Sequence, residues 1–457
     1  MTQNNTIKLA ILIIADLILL YAALFSGLIL RYQKWPDEIF IRQHLFPFTT
    51  VFLSWLVVFG ALGLYDLKFM KNGKRFLYRL LRAMAINTII AIIIFYLIKS
   101  LEIEPRRNLF IIVFAATIFI FLWRWLFNYL VIRAPTSRLI FFGITKETLE
   151  LVRWLLKNPQ LGQKPIAFIS NNGEIVPSDL TIQNFIFQNG NLAEIIKNTK
   201  ADQIVISREF KENKAFVKML FQAIPLGVAV VEFSSFYEML TGRIPLSLIE
   251  EIWFIENLVG IKKNIYEFFK RTADVTIAAF LIIPAVIIFP LVGLGIKLTS
   301  AGPIFFKQKR VGRHGKEFEV MKYRSMVENA QNLSGFKGEG SDPRLTKIGS
   351  IIRKSYIDEM PQIINILRGE MSFVGPRPER PEYVRELKEK VPFYEMRLLV
   401  LPGITGWAQV NMENDASVED APEKMQYDLY YIKNRSLVLD FLIILKTAFT
   451  ILRRQGR

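Results

Sequence analysis

The stretch ADVTIAAFLIIPAVIIFPLVGLGIKL, residues 273–298, is long and apolar enough to enter a membrane as a helix. Pro284 lies near its centre and Pro290 follows, and each proline removes a helical hydrogen bond and bends the axis. Basic residues flank the run: Lys270, Arg271 and Lys297. The prolines are compatible with a helix that breaks at Pro284, dips into one leaflet and returns, and with a kinked helix that crosses the whole bilayer. The pattern alone leaves both arrangements open.

Four further apolar runs lie nearer the N-terminus, at residues 7–30, 45–64, 77–98 and 109–132. Each approaches the ~20 residues that a membrane-spanning helix needs. The loop between the second and third runs is rich in basic residues: Lys68, Lys71, Lys74, Arg75, Arg79 and Arg82. Because cytoplasmic loops carry an excess of Lys and Arg, this loop and both ends of the block are expected in the cytoplasm. We predict a four-helix transmembrane bundle over residues 1–136.

Composition narrows the chemistry. The chain has 457 residues, 52% of them hydrophobic and 22% charged, so its apolar residues must be concentrated in blocks. A formal net charge of +17 beside apolar runs favours anionic lipid and phosphate as partners, not nucleic acid. The chain has no cysteine and only His44 and His314, which disfavours thiolate, serine–histidine and histidine–metal chemistry. If the protein is an enzyme, carboxylates and cationic side chains must carry out its chemistry.

Residues 137–261 alternate strand-like and helix-like patterns, which is typical of a parallel sheet with helices on its faces. The strand-like pieces are RLIFFGI, PIAFIS, NFIFQ, DQIVIS and GVAVVEF. Gly143 alone follows the first strand, so the GxGxxG fingerprint of a dinucleotide site is absent. We predict a degenerate Rossmann-like α/β domain with a structural, oligomeric or regulatory role. A retained small ligand is the less favoured alternative.

The segment after the long apolar run, residues 300–326, reads as a basic hairpin. Its two strand-like stretches are separated by a turn at His314 and Gly315. Basic residues occur along this segment: Lys307, Lys309, Arg310, Arg313, Lys322 and Arg324. Such a surface suits phosphates or acidic lipid headgroups.

Two adjacent carboxylates, Asp358 and Glu359, stand shortly before Pro361. Proline is favoured at the first position of a helix, so a helix is predicted to start at about Pro361. A helix N-terminus favours anions such as carboxylates or a bound phosphate. Arginines lie nearby at Arg353 and Arg377, and acidic side chains hold magnesium well when phosphates share the coordination. Simple helix capping is the alternative role for such a pair.

These residues resemble the bacterial sugar transferase family, the polyprenyl-phosphate glycosyl-1-phosphate transferases. The matching motifs, in chain order, are KRTAD, SAGPIFFKQKRVG, MKYRSM, DEMPQ, GEMSFVGPRPER, LPGITGWAQV and DLYYIKNRS. They spread over most of residues 262–457. The four apolar runs and the α/β segment upstream resemble the long form of that family, such as undecaprenyl-phosphate galactose or glucose phosphotransferases.

The resemblance implies a multidomain membrane protein whose mainly α-helical catalytic domain, residues 262–457, is anchored by a re-entrant helix at 273–298. The residues at the membrane re-entry are Lys270, Arg271, Asp274 and Pro284. Asp358 is implied as the nucleophile and Glu359 as the ligand of Mg²⁺. Arg353 and Arg377 match family positions that bind substrate phosphate. The hairpin cations Arg310, Lys322 and Arg324 are further candidates for the same phosphate.

The implied reaction moves a sugar-1-phosphate from a nucleotide-sugar, expected to be a UDP-sugar, to polyprenyl (undecaprenyl) phosphate. It would pass through a covalent phosphosugar–aspartate, release UMP, and prime exopolysaccharide, capsule or O-antigen synthesis. The enzyme would sit in the bacterial inner membrane with its catalytic domain on the cytoplasmic face; a homodimer is compatible with this arrangement. Two alternatives stay open, an NAD-dependent nucleotide-sugar dehydratase or epimerase and a non-catalytic scaffold of polysaccharide assembly.

Overall fold

The computed structural model describes residues 3–65, 72–97, 108–133, 136–170, 177–180, 182–186, 192–207, 210, 214–259, 264–327, 330, 344–412 and 419–452. The chain divides into two compact units, Met1–Leu240 and Thr241–Arg457. The first unit contains four long helices and a parallel sheet. The second contains a fifth long helix and the acidic pair.

Four long helices open the first unit: α1 (Gln3–Tyr32), α2 (Glu38–Ala61), α3 (Lys74–Leu97) and α4 (Asn108–Arg133). Each contains a stretch long and apolar enough to cross a membrane. α1 and α4 approach closely at Gly27, where a Cβ would lie 2.7 Å from the side chain of Ile112. The four apolar helices expected from the sequence are therefore present.

A buried ion pair joins α1 to α4. Asp16 accepts hydrogen bonds from Arg124, and these side chains are 0% and 2% exposed. The hydroxyl of Tyr65, just after α2, donates to Asp16 at 2.9 Å, and Arg124 donates to the carbonyl oxygen of Leu64. Charges inside apolar helices are costly unless they are paired. The pair thus fixes two helices and the turn after a third.

The rest of the first unit is a five-stranded parallel sheet in the order β3-β2-β1-β4-β5. The strands are β1 (Ser137–Phe142), β2 (Gln163–Ser170), β3 (Gln183–Ile186), β4 (Gln203–Ile206) and β5 (Ala229–Glu232). The helices are α5 (Lys146–Lys157), α6 (Leu192–Thr199), α7 (Lys214–Ala223) and α8 (Phe233–Thr241), with 3₁₀ turns at Pro159–Leu161 and Ile224–Leu226. The parallel sheet predicted from the alternating pattern is present.

Aromatic side chains fill the region beside the carboxyl end of β1. The strand order reverses between β1 and β4, which is where sheets of this kind bind nucleotides. The ring of Phe210 lies 4.6 Å from that of Phe142 and 5.3 Å from that of Phe216. A Cβ at Gly143 would lie 3.3 Å from Phe210. This packing agrees with the missing glycine fingerprint.

The second unit begins with a segment, residues 241–259, that we call the strap. It contains a 3₁₀ turn (Leu246–Leu248), helix α9 (Glu251–Phe254) and a π-helical turn (Ile255–Val259). The strap is buried against residues far along the chain in one apolar cluster, whose members include Ile244, Ile249, Trp253, Phe254, Val311, Val384, Leu387, Tyr394 and Leu429. It is thus part of the core of this unit. The division into three domains ending at residues 136, 261 and 457 stays a prediction.

Helix α10 (Asn264–Thr299) follows the strap and contains the long apolar run. It is continuous through Pro284 and Pro290, so the expected break of the helix at Pro284 is wrong. A proline removes one hydrogen bond, and the long flanking segments keep the helix intact. The buried residues of α10 fall in two groups at its two ends: Lys270, Asp274 and Ala278, and then Val292, Gly293 and Ile296. The apolar middle of the helix is left uncovered by this unit.

The remaining elements surround the acidic pair. The strands are β6 (Phe305–Val311), β7 (Glu317–Tyr323), β8 (Ser372–Val374) and β9 (Gly403–Thr405). The helices are α11 (Lys347–Lys354), α12 (Ile363–Arg368), α13 (Pro381–Lys390), α14 (Trp407–Asn411), α15 (Ala421–Asn434) and α16 (Leu437–Leu452), with 3₁₀ turns at Arg313–Gly315, Ile357–Gln362 and Tyr394–Leu399. β6 and β7 pair antiparallel, and β8 pairs parallel with β9. The hairpin predicted at residues 300–326 is confirmed.

Candidate active site

The adjacent carboxylates lie inside the 3₁₀ turn Ile357–Gln362, which runs directly into α12. The α-helix predicted to start at about Pro361 begins at Ile363, so the carboxylates lie one turn upstream of it. Tyr356 has a left-handed backbone, with φ of 56°, and its carbonyl oxygen accepts from the amide of Glu359 at 3.2 Å. The left-handed residue therefore lies immediately before the 3₁₀ turn, and the turn contains both carboxylates.

Glu359 is held by cations from two different elements. Lys322 of β7 and Arg377 both donate to its Oε1, at 2.6 and 3.1 Å. Burial by itself would raise the pKa of Glu359, but the charges and hydrogen bonds of these two cations outweigh burial and lower the pKa to about 2. Glu359 is therefore ionised throughout the physiological range.

The pKa of Asp358 is shifted in the opposite direction from that of Glu359. The residue is 8% exposed. Burial, and then the negative charge of Glu359, raise the pKa of Asp358 to about 6, although Lys322, Arg353 and Arg377 oppose the shift. Two neighbouring carboxyls with pKa values driven so far apart are typical of groups with different chemical roles.

The side chain of Asn365, in α12, is hydrogen-bonded to the backbone of β7. The residue is 1% exposed. Its side-chain nitrogen donates to the carbonyl oxygen of Glu319 and to the carboxylate of Glu370, both at 2.7 Å, and its oxygen accepts from the amide of Met321 at 3.3 Å. These bonds fix the strand beside Lys322 against the helix that follows the acidic pair. The contact between Lys322 and the carboxylate depends on this register.

Arg377 lies in the turn GPRP, residues 375–378. The amide of Gly375 donates to the carbonyl oxygen of Thr405 at 2.9 Å, which ties the turn to β9. A Cβ at Gly375 would lie 2.3 Å from the carbonyl oxygen of Leu401, so a larger residue has no room there. The close packing of this backbone directs Arg377 to the acidic pair.

Three of the five cations predicted to bind phosphate lie at the acidic pair. Lys322 and Arg377 contact Glu359 directly. Arg353, at the end of α11, is close enough for its charge to lower the pKa of Asp358. A cluster of three cations around two carboxylates can accept additional negative charge, such as that of a diphosphate.

The other two predicted cations bind backbone carbonyl groups. Arg310 donates to the carbonyl oxygen of Pro378 at 3.0 Å and so supports the turn that carries Arg377. Arg324 is 6% exposed and donates to the carbonyl oxygens of Ser300 and Ala301, at 2.8 and 2.5 Å, just beyond the end of α10. Both guanidinium groups stabilise the backbone around the site.

The charged residues predicted at the membrane re-entry connect α10 to this site. Lys270 forms a salt bridge with Asp440 of α16 at 2.8 Å. Arg271 donates to two carbonyl oxygens in the last turn of α12, at 2.6 and 2.9 Å. Asp274 accepts from the amide of Phe373 in β8 at 3.1 Å. The first turns of α10 are therefore fixed to three elements of this unit, α16, α12 and β8.

The acidic pair fits Mg²⁺ only when a substrate completes the coordination. Within the described ranges no three acidic or histidine side chains lie together as a metal site. Mg²⁺ is commonly bound by one or two carboxylates together with phosphate oxygens. Lys322 and Arg377 both donate to Oε1 of Glu359, so the carboxylate is held ionised beside Asp358. The donor set is therefore suited to a metal that arrives with a diphosphate.

Comparison with known proteins identifies the family. A model described as bacterial sugar transferase matches residues 265–454. The uncharacterized sugar transferase EpsL of Bacillus subtilis (strain 168) is 39% identical over 41% of this chain and 89% of its own length. The chain belongs to the bacterial sugar transferase family. The matched residues include the whole acidic pair and all the cations around it.

Two longer relatives have names that state an activity. The UDP-N-acetylgalactosamine-undecaprenyl-phosphate N-acetylgalactosaminephosphotransferase of Aeromonas hydrophila is 41% identical over 50% of this chain and 53% of its own. The UDP-glucose:undecaprenyl-phosphate glucose-1-phosphate transferase of Xanthomonas campestris pv. campestris is 30% identical over 69% of this chain and 66% of its own. The matches thus span about half to two thirds of these bacterial sugar transferases.

Sequence reasoning missed residues that act through others. The motifs above do not include Asn365, although a single Asn within the run IINIL is a signal that a buried polar side chain needs partners. Arg397 stands in YEMRLLV, where one charge among apolar residues gives the same signal. In both cases some of the partners, Glu319 for Asn365 and Asp428 for Arg397, come from other elements of the fold, which the local sequence does not show.

Proposed function

We propose that this chain transfers a sugar-1-phosphate from a nucleotide-sugar to undecaprenyl phosphate, the first step in assembling an exopolysaccharide, capsule or O-antigen. The observation that carries the proposal is the acidic pair: Glu359 is held ionised by two cations, and its neighbour Asp358 has a pKa close to neutrality. The names of the longer relatives support undecaprenyl phosphate as acceptor and a UDP-sugar as donor.

In the first step, an ionised oxygen of Asp358 attacks the donor phosphorus that bears the sugar. A bond forms between that oxygen and phosphorus, the bond to the nucleotide phosphate breaks, and UMP leaves with the bonding electrons. In the second step, an oxygen of undecaprenyl phosphate attacks the same phosphorus and Asp358 leaves as a carboxylate. A carboxylate nucleophile divides one difficult transfer into two easier ones.

The cations around the acidic pair supply the electrostatic part of the reaction. Phosphoryl transfer depends mainly on positioning and on neutralising the oxygens around phosphorus. Lys322, Arg353 and Arg377 surround the carboxyls and are proposed to bind the donor's phosphates. Glu359 is proposed to hold Mg²⁺, and the ion when bound would neutralise charge on the diphosphate.

We also propose that both ends of α10 lie on the cytoplasmic side of the inner membrane. Contacts of α10 with its own unit run from Lys270, on Asp440, to Gly295, packed beside Ile348. This part of the helix is ~37 Å long, which exceeds the ~30 Å hydrocarbon core of a bilayer. If the helix crossed the bilayer, the charged elements packed along it would be drawn into lipid.

The β6–β7 hairpin illustrates the difficulty. The ring of Phe289 lies 5.7 Å from that of Phe305 in β6, so the hairpin packs on the second half of α10. The same hairpin carries exposed charges on its strands, among them Lys307 and Lys309. Lys307 and Lys309 lie 3.5 and 3.7 Å from Glu319 and Glu317, and drawing these exposed charges into hydrocarbon is costly. A shallow helix, with its uncovered apolar middle in one leaflet, satisfies both the contacts and the charges.

The test uses the full chain with a UDP-sugar labelled in the sugar. Without acceptor, the protein should become labelled and release UMP in equal amount, and undecaprenyl phosphate should then take the label. Asp358→Asn should abolish both labelling and turnover, because an amide cannot act as the attacking oxyanion. The matched control Asp202→Asn, on an exposed carboxylate of the first unit, should behave as the unmutated chain. Turnover by Asp358→Asn near the normal rate would show direct attack by the acceptor instead.

A further inference from the structure

Arg397 is a buried arginine with three partners. It lies in the 3₁₀ turn Tyr394–Leu399, and its side chain is 4% exposed. One guanidinium nitrogen lies 3.0 Å from the carboxylate of Asp428 in α15 and donates to the carbonyl oxygen of Arg377 at 2.9 Å. The other terminal nitrogen donates to the hydroxyl of Tyr394 at 2.5 Å. The side chain thus links two elements to one peptide of the GPRP turn.

Removing both members of this ion pair from water costs free energy, which indicates that the pair does more than stabilise the fold. Asp428 is 2% exposed, so both members of the ion pair have lost their water. Buried ion pairs contribute little net stability compared with apolar packing, and their best attested use is to fix a particular arrangement. Here the fixed arrangement is the backbone of Arg377.

The fixed peptide is the one whose side chain reaches the acidic pair. Arg377 donates to Glu359 at 3.1 Å. The peptides on either side are held as well: the carbonyl oxygen of Pro376 accepts from Gly403 and that of Pro378 accepts from Arg310, both at 3.0 Å. Arg397 completes this set of bonds at residue 377 itself.

We propose that Arg397, held by Asp428, is a positioning residue that keeps the guanidinium of Arg377 on Glu359. Its kinetic effect rests on the proposed sugar-phosphate transfer, and its structural effect does not. Arg397 has no recorded contact with the acidic pair among the described residues, so its influence passes through Arg377.

The kinetic test is a double-mutant cycle in the full chain. Arg397→Lys keeps the charge but cannot form the same set of planar hydrogen bonds. A misplaced catalytic group costs about 10- to 100-fold, and that fall is expected in kcat for UMP release. In an Arg377→Lys background, Arg397→Lys should add less than about 2-fold, because the group that it positions is gone. Asp428→Asn should reproduce the pattern in both backgrounds.

The matched control is Arg435→Lys. Arg435 donates to the backbone carbonyl of Ile432 at 2.6 Å and lies 3.4 Å from Glu267, so it repeats the same chemistry elsewhere in this unit. Its replacement should change kcat less than about 2-fold, because neither of these two contacts of Arg435 involves Arg377 or Glu359. If Arg397→Lys fails to fold, Tyr394→Phe removes a single partner and should give a smaller fall that also disappears with Arg377→Lys.

A second measurement does not depend on activity. Because the chain lacks cysteine, a nitroxide can be attached at Arg380→Cys, three residues after Arg377. Its spectrum should show faster motion when Arg397 is replaced by Lys and no change when Arg435 is. If no UDP-sugar supports turnover, the proposed function fails and this spectrum alone decides the positioning role. An unchanged spectrum, or a kinetic loss that persists fully in the Arg377→Lys background, would overturn the inference.

Discussion

The raised pKa of Asp358 makes the first half-reaction sensitive to mild acid. The shift from 3.8 to about 6 means that the folded protein disfavours the ionised carboxylate by about 3 kcal/mol. Only the ionised form can attack phosphorus. Since the pKa is raised, the reactive form is dominant above pH 6 and is lost as the pH falls through that value. About nine tenths of the molecules carry it at pH 7, and about one tenth at pH 5.

The assay is UMP release in a single turnover without acceptor and below saturation, where the rate follows kcat/KM, measured between pH 4.5 and 8.5. The pH dependence of kcat/KM reports groups of the free enzyme, so the rate at pH 5 should be about one tenth of its plateau. Glu359, with a pKa of about 2, stays ionised over the whole range and adds no second transition. Glu382→Gln, a change on α13, serves as the control and should leave the profile unchanged.

Glu359→Gln separates the causes of the shift. It removes the like charge that helps to raise the pKa of Asp358, so whatever activity survives should decline at a lower pH than in the unmutated chain. If activity is too low, the carboxyl resonance of labelled aspartate, identified by its loss in Asp358→Asn, gives the same pKa. A rate that is flat from pH 5 to 7, or a transition that moves upward in Glu359→Gln, would refute this electrostatic account.

Three further predictions concern the scaffold. Asn365→Ala should lower the free energy of unfolding by about 2–3 kcal/mol, because buried backbone groups lose their partner; a loss below about 0.5 kcal/mol in a denaturant titration would contradict this. A fragment of residues 241–457 should elute as a single species in detergent, whereas one of residues 262–457 should aggregate because its core lacks the strap; equal behaviour in size-exclusion chromatography would show that the strap is dispensable. Cysteines at Thr272 and Thr299, both exposed, should resist an impermeant thiol reagent on intact cells and react after lysis; labelling of Thr299→Cys alone from outside would show a spanning helix.

The parts of the site that could be predicted are those that depend on residues close together in the sequence. Asp358 and Glu359 are adjacent, and the β6–β7 hairpin needs only a turn between two strand-like stretches. Lys322 faces the acidic pair as part of β7. Arg324 would share that face if the strand continued, but β7 ends at Tyr323 and the alternation of side chains ends with it.

The parts that could not be predicted depend on contacts between distant elements or on an unusual backbone. Tyr356 and Phe393 both adopt left-handed conformations immediately before 3₁₀ turns. An aromatic residue in the sequence does not indicate a positive φ. The strap is similar, because its burial depends on residues more than a hundred positions later. The continuity of α10 through Pro284 reflects the length of the helix on either side, which the local rule for proline does not weigh.

The shallow position proposed for α10 has a consequence for the membrane itself. A helix whose uncovered apolar middle enters only one leaflet pushes lipids apart in that leaflet and leaves the other unchanged. Insertion of this kind is sensitive to curvature and to lipid composition. Such a protein should therefore accumulate, and work best, where the cytoplasmic leaflet is loosely packed, so that the shape of the cell envelope acts on where polysaccharide synthesis begins.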